Sequence, residues 1–192
     1  MSKILISGYY GFANAGDEAM LTAIIESLRQ VEKNVELTVL SGNPEDTAAK
    51  HQVCSVYRFN PLGIIRAMKD SELIISGGGS LLQDVTSKRS LLYYLSIIGL
   101  GKFFGKKVML FAQGIGPIRA KWARKLTSLV CNEADLITVR DSESAAELIE
   151  MGVKPEKITV TADSVLSLNP VTKECGQYLL QEAGVDLTKP VI

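Results

Sequence analysis

The chain has 192 residues, of which 46% are apolar, 22% charged and 6% aromatic; these are ordinary globular proportions and exclude a disordered chain. Twenty-one Lys and Arg balance 21 Asp and Glu, so nucleic acid is not an expected partner, and any anionic partner must be met by a local cluster of charge. A single histidine, His51, and three dispersed cysteines, Cys54, Cys131 and Cys175, with no CxxC pair, exclude a His-rich metal site, imply no cofactor and read as reduced, cytoplasmic thiols.

Residues 3–7 (KILIS) form a short apolar run ending at Gly8 and read as a strand. Residues 17–32 follow with Met20, Ala23, Ile24, Leu28 and Val31 at helical spacing. Residues 35–40 (VELTVL) read as a strand, and 54–59 as another. Pro61 opens a short helix through Met68, since its missing N–H costs nothing at the first helical position. Residues 73–76 (LIIS) are a buried strand running into three glycines, and a long apolar segment covers 90–104. Strands at 108–112 and 136–140, helices at 120–134 and 141–151, and a strand at 158–162 complete the pattern, with Gly152 stopping the second helix.

Continuous Val/Ile/Leu runs spaced by helices predict a parallel sheet covered on both faces, a doubly wound, Rossmann-like α/β domain. Residues 1–168 are expected to form that domain. Residues 169–192 contain a helical stretch at 173–183 and end on Lys189-Pro190-Val191-Ile192, which reads as a new strand beginning. The expectation is the front half of a longer protein, with 169–192 starting a second domain. The opening MSKILISGYYG predicts no signal peptide, and the longest uncharged stretches fall short of the roughly 18–20 residues that span a bilayer.

Ligands of such sheets bind beyond the carboxyl ends of the strands, so the loops there are the candidates. The first, 8–17, carries Asn14, Gly16 and Asp17. Carboxylates at Asp17 and Glu18 would repel a phosphate at that helix N-terminus, and no GxGxxG is present. They suit sugar hydroxyls or proton transfer; the alternative is that Asp17 caps the helix. The second loop, 76–84, brings Gly78 and Gly79 close to a ligand or to another chain segment, with Asp84 beyond, as a base or a solvated turn residue. In the third, Gln113 can hydrogen-bond a ligand, while Gly116-Pro117 can start the next helix. In the fourth, Arg140 is placed for a carboxylate or phosphate, or for an ion pair with Asp141 or Glu143. Asp163 ends the last strand.

Gly11-x-x-Asn14-x-Gly16-Asp17-Glu18, Ser76-Gly77-Gly78-Gly79 with Asp84, Gln113-Gly114-Ile115-Gly116-Pro117, Arg140-Asp141-x-x-Ser144 and Ala162-Asp163 together resemble the polysaccharide pyruvyl transferase family. The match looks closest to its bacterial cell-surface-anchoring type, which modifies the secondary cell wall polymer that tethers S-layer proteins. The resemblance implies one half, the acceptor side, of a GT-B-like two-domain enzyme. It implies transfer of a pyruvyl group from phosphoenolpyruvate to an N-acetylmannosamine residue of a lipid-diphosphate-linked precursor, forming a 4,6-ketal. Asp17 or Asp84 would be the base, Asn14, Gly16, Gly78, Gly79 and Gln113 substrate contacts, and Arg140 an anion clamp. A GT-B-type glycosyltransferase using a nucleotide sugar, or a non-catalytic glycan-binding domain, are the alternatives, and a homo-oligomer is left open.

Two further stretches bear on location. Segment 90–104 is apolar on nearly every side and is either a buried crossover helix or an interfacial segment at the inner leaflet. Arg119, Lys121, Arg124 and Lys125 crowd a helix start, where the macrodipole opposes positive charge. That points to an anionic partner, with a solvated face and an inward Trp122 as the alternative. The implied location is cytoplasmic, with a peripheral contact at the membrane's inner face.

Overall fold

The computed structural model describes residues 1–170 and 172–186. Its strands are β1 (Lys3–Tyr10), β2 (Glu36–Ser41), β3 (Cys54–Tyr57), β4 (Leu73–Gly77), β5 (Lys107–Gln113), β6 (Leu136–Val139) and β7 (Ile158–Val160). All neighbours pair in parallel, in the order β3-β2-β1-β4-β5-β6-β7. The helices are α1 (Ala15–Val31), α2 (Pro44–His51), α3 (Pro61–Asp70), α4 (Lys88–Phe103), α5 (Lys121–Glu133), α6 (Ser142–Glu150) and α7 (Lys173–Glu182). This is the doubly wound, Rossmann-like sheet that the apolar runs predict. The chain winds outward through β2 and β3, then returns and winds the other way from β4. Right-handed crossovers put the helices of the two halves on opposite faces, so the order reverses between β1 and β4.

The strands are apolar throughout because both faces are covered, and the two-residue period divides them. Ile4 and Ile6 pack with Leu21, Ile24 and Ile25 of α1, whereas Leu5 packs on the face of α3 to α6. Ile74 and Ile75 of β4 divide in the same way. At roughly 1.5–3 kcal/mol per fully buried large aliphatic side chain, these two layers rather than helix propensity hold the fold. Segment 90–104 is a crossover helix: α4 buries Leu91, Tyr94, Leu95, Ile97 and Ile98. It lies so close on the sheet that a Cβ at Gly101 would stand 2.7 Å from Ile74 Cδ1. Among the described residues no helix is long and apolar enough to cross a membrane.

Some boundaries differ from expectation, each for a local reason. Val31 is exposed, and the buried stripe of α1 is made by Leu21, Ala23, Ile24 and Ile25. Helix α2 carries almost no apolar pattern, burying only Thr47; its signals are the Asn43 cap and Pro44 at the first position. Strand β7 stops at Val160, although Thr161 N–H still donates to Val139 O. The helix expected at 173–183 is present as α7, with none of its residues buried. The strand expected at 189–192 lies outside the described residues.

Candidate functional site

Because every strand is parallel, the loops after β1, β4, β5, β6 and β7 share one rim, as their placement after successive strands predicts. At the β1–α1 junction, Asn14 rather than Asp17 caps the helix: its Oδ1 accepts the N–H of Gly16 (3.0 Å) and of Asp17 (3.3 Å). Gly16 therefore spends its N–H on the cap rather than on a ligand. Glu18 turns back to hold the loop, accepting Gly11 N–H at 2.8 Å and pairing with His51 Nε2 at 3.3 Å. His51 is thereby committed to bracing this loop. The Asp17 carboxylate is left facing the rim, where burial, and then the neighbouring Glu18 charge, raise its pKa.

Asp17 lines a pocket of about 400 Å³ with Tyr9, Asn14, Ser80, Gln83 and Tyr94. These residues come from the end of β1, the start of α1, the loop after β4 and α4, so the pocket sits at the reversal of strand order. Gly78 and Gly79 lead into Ser80 with φ of +45° and +73°. Their close approach is to helix α1, not to open space. A Cβ at Gly78 would meet Met20 at 3.0 Å, and one at Gly79 would meet Asp17 Oδ1 at 3.2 Å. Gly78 also donates its N–H to Phe111 O. A groove of about 470 Å³ at the β3 edge, which includes Lys3, Glu36, Cys54 and Asp70, touches strand starts. It is away from the rim where such sheets bind ligands.

Three expected site residues are placed otherwise. Asp84 caps α5 from a distance, its two oxygens accepting the N–H groups of Arg119 (2.9 Å) and Ala120 (2.8 Å). These bonds hold its carboxyl below the usual range, which lowers its basicity and gives it a capping duty. Gln113 is fully buried, and its Nε2 donates to Ser76 O and Oγ, tying β5 to β4. It cannot touch a sugar on the rim. Arg140 is shared between Asp141 (3.2 Å) and Asp163 (3.4 Å) and reaches Ser80 Oγ at 3.3 Å. With two carboxylates beside it, the charge needed for an anion clamp is already neutralised.

The cations at 119–125 are met from within the chain. Asp84 supplies the negative charge at the start of α5, and Arg124 is paired with Glu147 (2.6 Å) and Glu150 (3.3 Å). Trp122 is 46% exposed rather than packed inward. The sequence reading missed Tyr9 and Tyr94 as pocket walls. Tyr94 reads as one more apolar residue of α4, and Tyr9 carried a signal only as one of three aromatics, with Tyr10 and Phe12, in a glycine loop. Among the described residues no three His, Cys, Asp or Glu side chains cluster as metal ligands would.

The fold and this rim define a Rossmann-like α/β protein of the kind that makes up one half of a GT-B enzyme. The family model "Polysaccharide pyruvyl transferase" matches residues 14–177, and the chain belongs to that family. A search of curated proteins finds no relative. Among solved structures the chain is similar to Anabaena HepE in complex with UDP-glucose, with a TM-score of 0.60 at 13% identity, covering 96% of this chain and 50% of that one. It is also similar to a Rickettsia africae glycosyltransferase (TM-score 0.58, 12% identity, 98% and 51% covered). A third is Neisseria meningitidis UDP-GlcNAc 2-epimerase bound to UDP-GlcNAc (TM-score 0.56, 12% identity, 94% and 50% covered). The chain thus spans about half the length of the structures it matches.

Proposed function

We propose that the chain is the acceptor-side half of an enzyme that moves a pyruvyl group from phosphoenolpyruvate onto a saccharide as a cyclic ketal. The acceptor on this reading is an N-acetylmannosamine residue of a lipid-diphosphate-linked cell wall precursor, met in the cytoplasm at the membrane's inner face. Residues 1–168 form the acceptor domain, and 169–192 begin the donor domain. Family membership supports the reaction class. The observation that carries the site is the Asp17 carboxylate: half-buried, raised in pKa, free of capping duty and facing the pocket at the sheet's reversal.

In the reaction, the donor's methylene carbon gains a proton and a sugar hydroxyl adds to the adjacent carbon. Phosphate leaves, and a second hydroxyl of the same sugar closes the ring. One hydroxyl proton replaces the proton taken up by the methyl carbon, and the other accompanies the phosphate, so no water is consumed. Asp17 accepts the attacking hydroxyl's proton, and burial that favours its protonated form strengthens it as a base. Ser80 Oγ and the Asn14 amide offer neutral hydrogen bonds of the kind sugar hydroxyls take.

Asp17→Asn tests the reading. An enzyme carrying both halves, given phosphoenolpyruvate and an N-acetylmannosamine-containing disaccharide, should release phosphate and form a pyruvyl ketal. Asp17→Asn should lower turnover by about 10²–10⁴-fold, the usual contribution of a general base, with little change in melting temperature. Near-normal turnover in the variant removes Asp17 from the chemistry; consumption of a nucleotide sugar instead of phosphoenolpyruvate replaces the reaction.

A further inference from the structure

Arg58 is the only charged side chain among the described residues that is buried, at 4% exposed. It follows β3 on the pocket's rim, and its backbone N–H donates to Ser41 O. Nη2 reaches the Tyr94 hydroxyl at 3.4 Å, while Nε and Nη1 have no hydrogen-bond partner. Among the described residues it joins no ion pair. Five rings surround the guanidinium instead, with centroids between 4.4 Å (Tyr93) and 5.9 Å (Tyr9). The Tyr10 hydroxyl is likewise buried without a partner, and the Tyr93 hydroxyl lies beside Ser7 and Arg58 without a well-aligned hydrogen bond to either.

Packing alone does not account for an arginine here. A buried cation is costly without a counter-ion, and ring faces offset part of that cost but give Nε–H and Nη1–H no acceptor. A Met or Leu would fill the same cage without that cost. Two of the rings, Tyr9 and Tyr94, are also walls of the pocket that holds Asp17, so the cation stands one ring's thickness behind the pocket. The covering layer is thin: one ring from the end of β1 and one from the loop that follows it. Tyr9 and Phe12 stack at 4.3 Å, are 40% and 42% exposed, and flank Gly11 at φ +77°. Charge is therefore graded across the pocket, with Asp17 on one side and an uncompensated guanidinium behind the other. Arg140, the other candidate cation, is neutralised by its two aspartates.

We propose that Arg58 is the anion-binding residue of this pocket and takes a phosphate oxygen of the substrate on Nε–H and Nη1–H when the Tyr9–Phe12 pair swings aside. This rests on the pocket being the substrate site and adds the charge class of what it holds. The oxyanion belongs either to a diphosphate-linked saccharide or to phosphoenolpyruvate; the recognition chemistry is shared.

Isothermal titration of the 192-residue chain tests it, with inorganic pyrophosphate and phosphoenolpyruvate as separate probes. Arg58→Gln should weaken binding about 10–100-fold, the worth of a hydrogen bond to a charged group. Tyr9→Ala/Phe12→Ala should strengthen it several-fold by uncovering the cation. At least tenfold preference for pyrophosphate assigns the diphosphate-linked source, and the reverse assigns phosphoenolpyruvate. If Arg58→Gln does not fold, phenylglyoxal labelling of the Tyr9→Ala/Phe12→Ala chain decides: pyrophosphate should protect Arg58. Equal affinity of wild type and Arg58→Gln, no binding by wild type and double variant alike, or labelling that pyrophosphate does not slow overturns the proposal. A neutral N-acetylmannosamine disaccharide, bound alike by wild type and Arg58→Gln, reads the saccharide site separately, so failure here does not pass for failure there.

Discussion

Replacing Asp84 by Ala separates a cap from a catalyst. Helix α5 starts at Lys121 with no acidic residue in its first turn, and Ala120 brings no side-chain cap. Asp84 fills both gaps from another loop, through bonds of 2.9 and 2.8 Å. Losing a cap oxygen costs about 0.5–2 kcal/mol, and losing negative charge at a helix N-terminus about 0.3–1 kcal/mol more. Asp84→Ala should therefore destabilise by about 1–3 kcal/mol, or roughly 2–12 °C in melting temperature at this chain length. Asp84→Asn keeps one acceptor and should lose about half as much. The folded carboxyl is held below its usual pKa, so its contribution is complete above the unfolded value near 4 and fades as pH falls through the lower folded value. Urea melts of the three proteins at pH 7 and pH 3 measure this, with the gap narrowing at pH 3. A loss below 0.5 kcal/mol in Asp84→Ala, or a gap indifferent to pH, refutes the capping account. A turnover loss as large as that of Asp17→Asn would restore Asp84 to the chemistry.

Gly79→Ala should strain a φ of +73° by about 1–2 kcal/mol and press a methyl toward Asp17 Oδ1. Saccharide binding by titration should fall further than the melting temperature alone explains, and parallel losses would show the glycine serves the turn only. Asp135 is governed first by burial, which raises its pKa, but Lys102 (2.6 Å), Val108 N–H (2.9 Å) and Lys107 outweigh it and hold the group at about 2. Its stabilisation should be full above about pH 4 and be lost between pH 4 and 2. It is worth about 1 kcal/mol after solvent screening, read as the closing gap between wild type and Asp135→Asn.

The sheet was legible because burial on both faces forces nearly every strand residue to be apolar, and β1, β4 and β5 stand out in any reading of the chain. Helix α2 was not, since Ser41 Oγ against Thr47 Oγ1 at 2.7 Å and a polar surface replace an apolar stripe. The rim loops were legible as positions but not as roles. Arg140's pairing with the adjacent Asp141 was readable, but Gln113 ends a strand and Asp84 follows one, and what these two do depends on partners 35 to 37 residues away: Ser76, and Arg119 and Ala120. Local spacing carries no trace of such pairings. Arg58 escaped notice for the same reason, because its cage is assembled from β1, β3 and α4 loops that meet only in the folded sheet.

The rim's carboxylates show why one of them is suited to proton transfer. Asp84 is tied to two backbone N–H groups, and Asp141 accepts Ser144 N–H at 2.7 Å beside Arg140. Asp163 accepts Val165 N–H and shares the same arginine. At Asp84 and Asp141 these bonds stabilise the charged form, and both carboxyls are lowered. Asp17 escapes because Asn14 does the capping its position would otherwise demand, and because Glu18, spent on Gly11 and His51, adds repulsion rather than a bond. Environments that push neighbouring carboxyls apart in pKa are what divide labour between them. Here the division falls on the junction where the sheet reverses, with the only raised aspartate among the described residues facing the pocket. Restoring an acceptor-free helix start with Asn14→Ala should therefore draw Asp17 into capping. It should lower the carboxyl's pKa and reduce turnover while the chain stays folded, a loss through Asp17 that an NMR titration of its carboxyl carbon would report directly.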